Sequence, residues 1–183
     1  MSHTIQPDNQ SYCVFLRGVN VKGTNMKMKD VCAVFEKAGV HKVTSVLASG
    51  NIIFQSTKSA IELKPILEDA MSSHFNYEAF LFIKNKNEIE TIISNNPFET
   101  EANFHVYGFI GVEGIGDLLI ESFKKIEPLS GEEAQYFQNN FYWKVSKGNT
   151  LESNFGKILG KKNLKAEFTS RNMNTLEKIL EKI

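Results

Sequence analysis

The sequence predicts an α+β protein: two ferredoxin-like halves packed together, with a connecting helix between them and a further helix at the C-terminus. Three observations lead there. Strand-like and helix-like periodicities follow one another in the order β-α-β-β-α-β, and that order occurs twice along the 183 residues. Right-handed crossovers then put the first and third strands of each half at the centre of a four-stranded sheet. In agreement, Tyr12–Leu16 and Ile52–Phe54 are continuous apolar runs, the pattern of strands covered on both faces. The repeat is one of element order and not of residues. It divides the chain into a polar tail (1–11), a first half (12–85), a connecting helix and loop (86–103), and a second half with the final helix (104–183).

The first strand is Tyr12–Arg17. Met28, Val31, Cys32 and Phe35 recur at helical spacing, and Gly39 suits the position just past a helix end, giving a helix over 27–38. A strand over Val43–Ala48, a tight turn at Ser49-Gly50 and a returning strand over Asn51–Gln55 make a hairpin. Leu63, Ile66, Leu67, Ala70, Met71 and His74 line one helical face. Ser59 and Glu62 have capping-box spacing, but Pro65 falls too deep for a straight helix from there, so a kink or a start near Leu63 is expected. Glu78–Lys84 is the fourth strand. Asn87–Asn95 is the connecting helix, stopped by Pro97. In the second half the strand Phe104–Gly111 precedes a helix over Ile115–Ile126, with Ile115, Leu118, Leu119, Ser122 and Ile126 in register. A hairpin of Ala134–Gln138 and Phe141–Ser146 turns at Asn139-Asn140. Leu151, Phe155, Ile158 and Leu159 mark a helix ending near Gly160, Leu164–Phe168 a short strand, and 172–182 the last helix.

The composition is that of a folded chain, with 42% hydrophobic and 23% charged residues, and 14 Phe supply enough large rings for two small cores. Lys+Arg and Asp+Glu both number 21, so bulk charge excludes a protein that coats nucleic acid electrostatically. The charge is nonetheless uneven: about +3 over 11–85, −7 over 86–138 and +5 over 139–183. Cys13 and Cys32 sit in apolar patterns and read as buried free thiols, not as a disulfide framework. The stretch Met1–Ser11 lacks the apolar segment of a signal peptide and no run reaches membrane-spanning length, so a cytoplasmic protein is expected.

The topology gathers chemistry at one sheet edge. The first two strands run parallel, so their C-terminal ends lie together. Arg17-Gly18-Val19-Asn20 leaves there and Ser49-Gly50-Asn51 turns there. The Val21–Lys27 loop feeds a helix N-terminus beside them, with its free N–H groups. Arg17, Asn20, Lys22, Lys27, Ser49 and Asn51 form a candidate site for a phosphate or carboxylate. The competing reading makes the glycines turn residues, Asn20 and Asn51 their caps, and Arg17 one half of an ion pair.

The segments Phe15-Leu16-Arg17-Gly18-Val19-Asn20-Val21, Met26-Lys27-Met28, Ser49-Gly50-Asn51-Ile52-Ile53-Phe54, Asn96-Pro97-Phe98 and Thr169-Ser170-Arg171-Asn172-Met173-Asn174-Thr175 resemble the bacterial family known as domain of unknown function 1697. The resemblance runs from about residue 12 to the C-terminus. It implies two ferredoxin-like halves and no established activity. The chain departs from the family pattern at Lys22, where a second glycine is usual, and at Ser153-Asn154-Phe155, where Ser-Lys-Leu is usual.

Within Thr169–Thr175, Arg171 and Asn172 are candidates for a second ligand anchor, set against a helix-capping role for Asn172 or Asn174. Lys157, Lys161, Lys162 and Lys165 read as a basic patch or a solvated face. The four histidines share no metal-ligand spacing with cysteines or acids, and no phosphate-binding loop, nucleophile elbow or dinucleotide fingerprint is present. His105 is read as pointing outward from its strand, Ser49 as a turn residue without a visible base, and Glu99 and Glu101 as loop acids. An RNA-recognition platform shares the element order, but Gly50-Asn51-Ile52-Ile53-Phe54 has Asn and Ile where stacking rings are needed. The sequence therefore points to no cofactor and no metal, and leans away from an enzyme. Three functions stay open: a small-anion binder at the 17–27 and 49–51 edge, a nucleic-acid binder through the basic N- and C-terminal segments, and a scaffold without chemistry.

Overall fold

A computed structural model of the chain describes residues 9–19 and 26–183. Asn20, Lys22 and Gly23 and most of the polar tail lie outside the described residues. Two four-stranded antiparallel sheets with helices make up the architecture, each in β-α-β-β-α-β order. They fall into two units, one reaching to Lys86 and the other spanning Asn87–Glu181.

The first unit contains β1 (Gln10–Arg17), α1 (Met28–Lys37), β2 (His41–Val46), β3 (Asn51–Ser56), α2 (Ala60–Phe75) and β4 (Phe80–Asn85). Its strand order is β2-β3-β1-β4, so the first and third strands are central, as the crossover rule requires. Alternation along the strands gives two faces. Tyr12, Val14 and Leu16 share one with Ile52, Phe54, Leu81 and Ile83, and this face packs on Val31, Phe35, Leu63, Leu67 and Met71 of the two helices. Cys13, Phe15, Ile53 and Phe82 on the other face are buried too, which is why these strands read as unbroken apolar runs.

Helix α2 starts at Ala60, not near Leu63. The Ser59–Glu62 capping box forms, with Ser59 N donating to Glu62 Oε2 at 2.8 Å and Glu62 N to Ser59 Oγ at 3.3 Å. Pro65 stands on the exposed side of the helix, and the carbonyl its missing N–H would have met belongs to Ile61, a residue that is 86% exposed. The buried stripe of α2 is Leu63, Leu67 and Met71, while Ile66 turns outward. Strand β2 runs earlier than expected, because Leu47 adopts φ 61° and opens the turn.

The second unit contains α3 (Lys86–Ser94), β5 (Phe104–Gly111), α4 (Ile115–Phe123), β6 (Glu133–Phe137), β7 (Asn140–Ser146), α5 (Asn154–Leu159), β8 (Phe168–Asn172) and α6 (Met173–Leu180), with strand order β6-β7-β5-β8. One face is an aromatic core in which Phe155 lies 5.1–5.8 Å from the rings of Phe123, Phe141 and Trp143. The other face is closed at Gly108. A Cβ there would stand 3.0 Å from Ile92 Cγ2 and 3.1 Å from Leu176 Cδ1, so any larger residue would push on side chains of α3 and α6. Tyr142 Oη donates to the Ile92 carbonyl at 2.7 Å across the same face.

Four expectations are corrected here. Leu164–Phe168 is not a strand: Lys162–Leu164 is a 3-10 turn anchored by buried Leu164, and the edge strand β8 begins at Phe168. Its Thr-Ser-Arg-Asn run shows no apolar alternation, because the residues it buries beside Phe168 are the polar Thr169 and Arg171, which bond each other. The β6–β7 turn is Gln138-Asn139, with φ 47° and 63°, a mirror-image two-residue turn one residue earlier than expected. Helix α4 ends at Phe123, with Leu118 facing outward. Of the two free thiols only Cys13 is buried; Cys32 is partly exposed.

Tyr77 packs against the first core, yet its hydroxyl is buried without a hydrogen-bond acceptor or donor. Burial, with a smaller contribution from the charge on Glu68, pushes the phenol up to about 12. The folded state thus favours the neutral phenol, and that contribution is lost as pH rises past the ordinary value of 10 and through about 12. Tyr77→Phe is expected to stabilise the protein by about 1 kcal/mol at neutral pH, since it removes an unpaired buried hydroxyl. The advantage of the variant should widen in thermal melts above pH 10.

Candidate functional site

At the end of the first sheet, the chain leaving β1 meets the turn between β2 and β3. Leu16 N donates to the Gly50 carbonyl at 2.8 Å, carrying the pairing of β1 and β3 one residue past Phe15↔Asn51. Gly50 has φ 75°, and Val19 lies against it: a Cβ on Gly50 would be 2.9 Å from Val19 Cγ2 and 3.1 Å from Leu16 Cβ. Gly18, at φ 79°, gives the reversal that brings Val19 back over the turn. Asn51 is fully buried, and its Nδ2 donates to Val46 O at 3.0 Å and to Ser49 Oγ at 2.9 Å. The turn is thus bracketed from inside by one amide.

This geometry separates the predicted residues by role. Ser49 and Asn51 are brought together, with Ser49 exposed and Asn51 inside as the brace of the turn. Arg17 is the last residue of β1, on the same sheet face as Asn51 and one pleat beyond Phe15. It is half-buried, and desolvation lowers its guanidinium from the ordinary value. Lys27 is the N-cap of α1; it is exposed, and its side chain makes no capping hydrogen bond. Asn20 and Lys22 lie outside the described residues.

Arg171 and Asn172 belong to the second unit. Arg171 is buried on β8, its Nη1 donating to Thr169 Oγ1 at 2.7 Å and to Ser170 O at 2.9 Å. Asn172 caps α6, with Oδ1 accepting from Asn174 N at 3.0 Å and Nδ2 standing 2.8 Å from His105 Nδ1. His105 is therefore engaged with this cap and only partly exposed.

The remaining motifs have structural explanations that spacing alone does not give. Phe98 N donates to Asn96 Oδ1 at 3.2 Å, closing the Asn96-Pro97-Phe98 turn. That turn presents the Phe98 ring to Lys144 Nζ, which lies 5.6 Å from its centroid and 5.1 Å from that of Phe104. Lys144 also pairs with Glu101 at 3.0 Å and Glu133 at 2.5 Å, so Glu101 is one side of a cation cage and not simply a loop acid. Donating to the Glu133 carboxylate, and then to that of Glu101, raises the ammonium above its usual value. Buried Glu132 accepts from Trp143 Nε1 at 2.9 Å and from Leu129 N at 2.8 Å. A periodicity does not reveal either group, because each joins residues of the β6–β7 pair to a loop residue, Glu101 or Leu129. Among the described residues no group of three or more His, Cys, Asp and Glu side chains is placed to hold a metal ion, and no helix is long and apolar enough to cross a membrane. A surface groove lined by Val34, Lys37, Ala70, Ser73 and His74 lies toward the other end of α1.

The chain belongs to the family described as protein of unknown function (DUF1697), whose model matches residues 10–142. It is similar in structure to the conserved bacterial protein SP0830 from Streptococcus pneumoniae, with 22% identity, a TM-score of 0.76, and 95% of this chain and 98% of that one covered. That similarity shows the shared fold. No curated protein matches the chain.

Because Gly50 is needed both for its backbone angle and for its closeness to Val19, Gly50→Ala is expected to destabilise the protein by about 2–3 kcal/mol. Gly39 has a similar positive φ of 92° but nothing within 4 Å of a Cβ. Gly39→Ala should therefore lose only about 1 kcal/mol. Urea denaturation of both variants isolates the contribution of the Val19 contact.

Proposed function

We propose that the end of the first unit where β1, the 47–50 turn and the start of α1 meet binds a small anion carrying a phosphate or carboxylate. The observation that carries this reading is Arg17: a half-buried guanidinium at the last position of β1. A partly desolvated guanidinium gains more from a bidentate carboxylate or phosphate than an exposed one does. Two features add to it. The first turn of α1 has N–H groups that the Lys27 side chain does not cap, and exposed Ser49 offers a hydroxyl held in place by Asn51. In this reading Arg17, Ser49 and Lys27 contact the ligand and Asn51 positions Ser49. Asn20 and Lys22 enter as loop residues to be tested by substitution.

The test is a set of thermal melts at low salt with inorganic phosphate, acetate, sugar phosphates, nucleotides and short oligonucleotides. A bound anion at 100 times its Kd should add about 2.7 kcal/mol, a shift of roughly 5–10 °C for a chain of this size. The shift should vanish in Arg17→Ala and survive in part in Arg17→Lys, which keeps the charge and loses the fork. An unchanged shift in Arg17→Ala, or none with any anion, would sink the proposal. Stabilisation confined to oligonucleotides and falling steeply with salt would assign the surface to nucleic acid instead.

A further inference from the structure

Each sheet has two outer strands, and three of the four are guarded against pairing with another chain. β2 is interrupted by a register shift between His41 and Thr44, with Lys42 at φ 52°. On β4, Leu81 N donates to Glu68 Oε1 at 3.0 Å and Lys64 Nζ donates to Leu81 O at 2.6 Å, so an i,i+4 pair on α2 occupies the backbone groups a new strand would seek. On β8, the register with β5 directs the Ser170 carbonyl outward, and Arg171 Nη1 takes it at 2.9 Å.

β6 has no such guard. Its sequence, Glu-Ala-Gln-Tyr-Phe, contains no Lys or Pro, and its register with β7 is unbroken from Glu133↔Lys144 to Phe137↔Asn140. The two-residue turn makes Phe137 and Asn140 a hydrogen-bonded pair, and the alternation that follows directs the N–H and C=O groups of Ala134 and Tyr136 outward. Among the described residues none of these four groups has a hydrogen-bond partner. Glu133, Gln135 and Phe137 are exposed beside them, Phe137 by 46%.

We infer that β6 is a self-pairing edge: a second copy of this chain docks antiparallel about a two-fold axis at Gln135, joining two four-stranded sheets into one of eight strands. The register is self-complementary. Centring on Gln135 sets Ala134 opposite Tyr136 of the second copy, which uses all four outward groups of each strand. It sets Glu133 opposite Phe137 of the second copy, so no two carboxylates face each other, whereas centring on Glu133 would oppose them. Glu133 keeps its ion pair with Lys144 in this arrangement, because that contact lies within one sheet.

Sedimentation equilibrium on the full chain, from about 10 μM to about 1 mM, tests the inference. The wild-type mass should rise from 20.7 kDa toward twice that value with concentration. Gln135→Lys places like charges across the axis and should weaken association by about fivefold or more, as should Gln135→Glu. An equimolar mixture of the two variants should recover it. Ala134→Pro removes an outward N–H without removing a bond to β7, and should abolish association while circular dichroism shows the fold retained. A wild type that stays at 20.7 kDa throughout, or Gln135→Lys and Ala134→Pro proteins that associate as the wild type does, would overturn it.

Discussion

Leu16 donates its N–H to the Gly50 carbonyl at 2.8 Å, and the chain on both sides of that bond is built to keep it. On one side, Gly18 turns the backbone so that buried Val19 closes over Gly50. On the other, Asn51 ties its amide to Val46 O and Ser49 Oγ, so the β2–β3 turn cannot open without breaking two hydrogen bonds, the first of them buried. The bond continues the ladder between the two central strands of the first sheet, whose side chains are buried on both faces. It therefore connects the packing of the core to the position of the loop ends, and it fixes Arg17 and Ser49 at the same end of the sheet. Any ligand chemistry at that end inherits its precision from this contact and not from the loops themselves.

The second unit repeats the topology and solves its packing differently. Where the first unit mixes aliphatic residues with Tyr12, Phe35 and Phe54 against two helices, the second sets Phe155 of a six-residue helix among three aromatic rings. A helix that short holds its place through Ser153, which caps it at Gly156 N, and through the area its one large ring buries. The opposite face depends on Gly108 and on the Tyr142 bond to Ile92. Lys144 then fastens the loop between α3 and β5 to the sheet with two carboxylates and two rings. Its partners satisfy the charge from several sides, which is the condition for a lysine to sit this deeply.

Much of this was legible in the sequence where one physical rule acts alone. Phe104–Gly111 is bounded correctly because its aromatic and β-branched residues are bracketed by a polar loop before it and a Gly-containing turn after it. The order of strands in each sheet follows from handedness. Rules in competition were harder to read. Pro65 and the Ser59–Glu62 box make opposite demands on α2, and the exposure of both Pro65 and Ile61 is not visible in a sequence. β8 buries the polar Thr169 and Arg171 beside Phe168, so its period carries little signal. At the candidate site, the meeting of the Leu-Arg-Gly-Val and Ser-Gly-Asn segments follows from topology. Which of their side chains face inward does not: Asn51 is a brace because its carbonyl acceptor, Val46, lies across a turn whose shape depends on the positive φ of Leu47.

The division of labour in this chain follows from the same distinction. Residues that set the backbone, such as Gly50, Asn51, Gly108 and Ser153, are satisfied internally and can do little else. Arg17 differs in carrying a charge: its guanidinium is half-buried at the end of β1, and the desolvation it suffers works against the charged form. The physical case for a ligand at the end of the first sheet therefore rests on a half-buried guanidinium beside a turn that Asn51 braces from within.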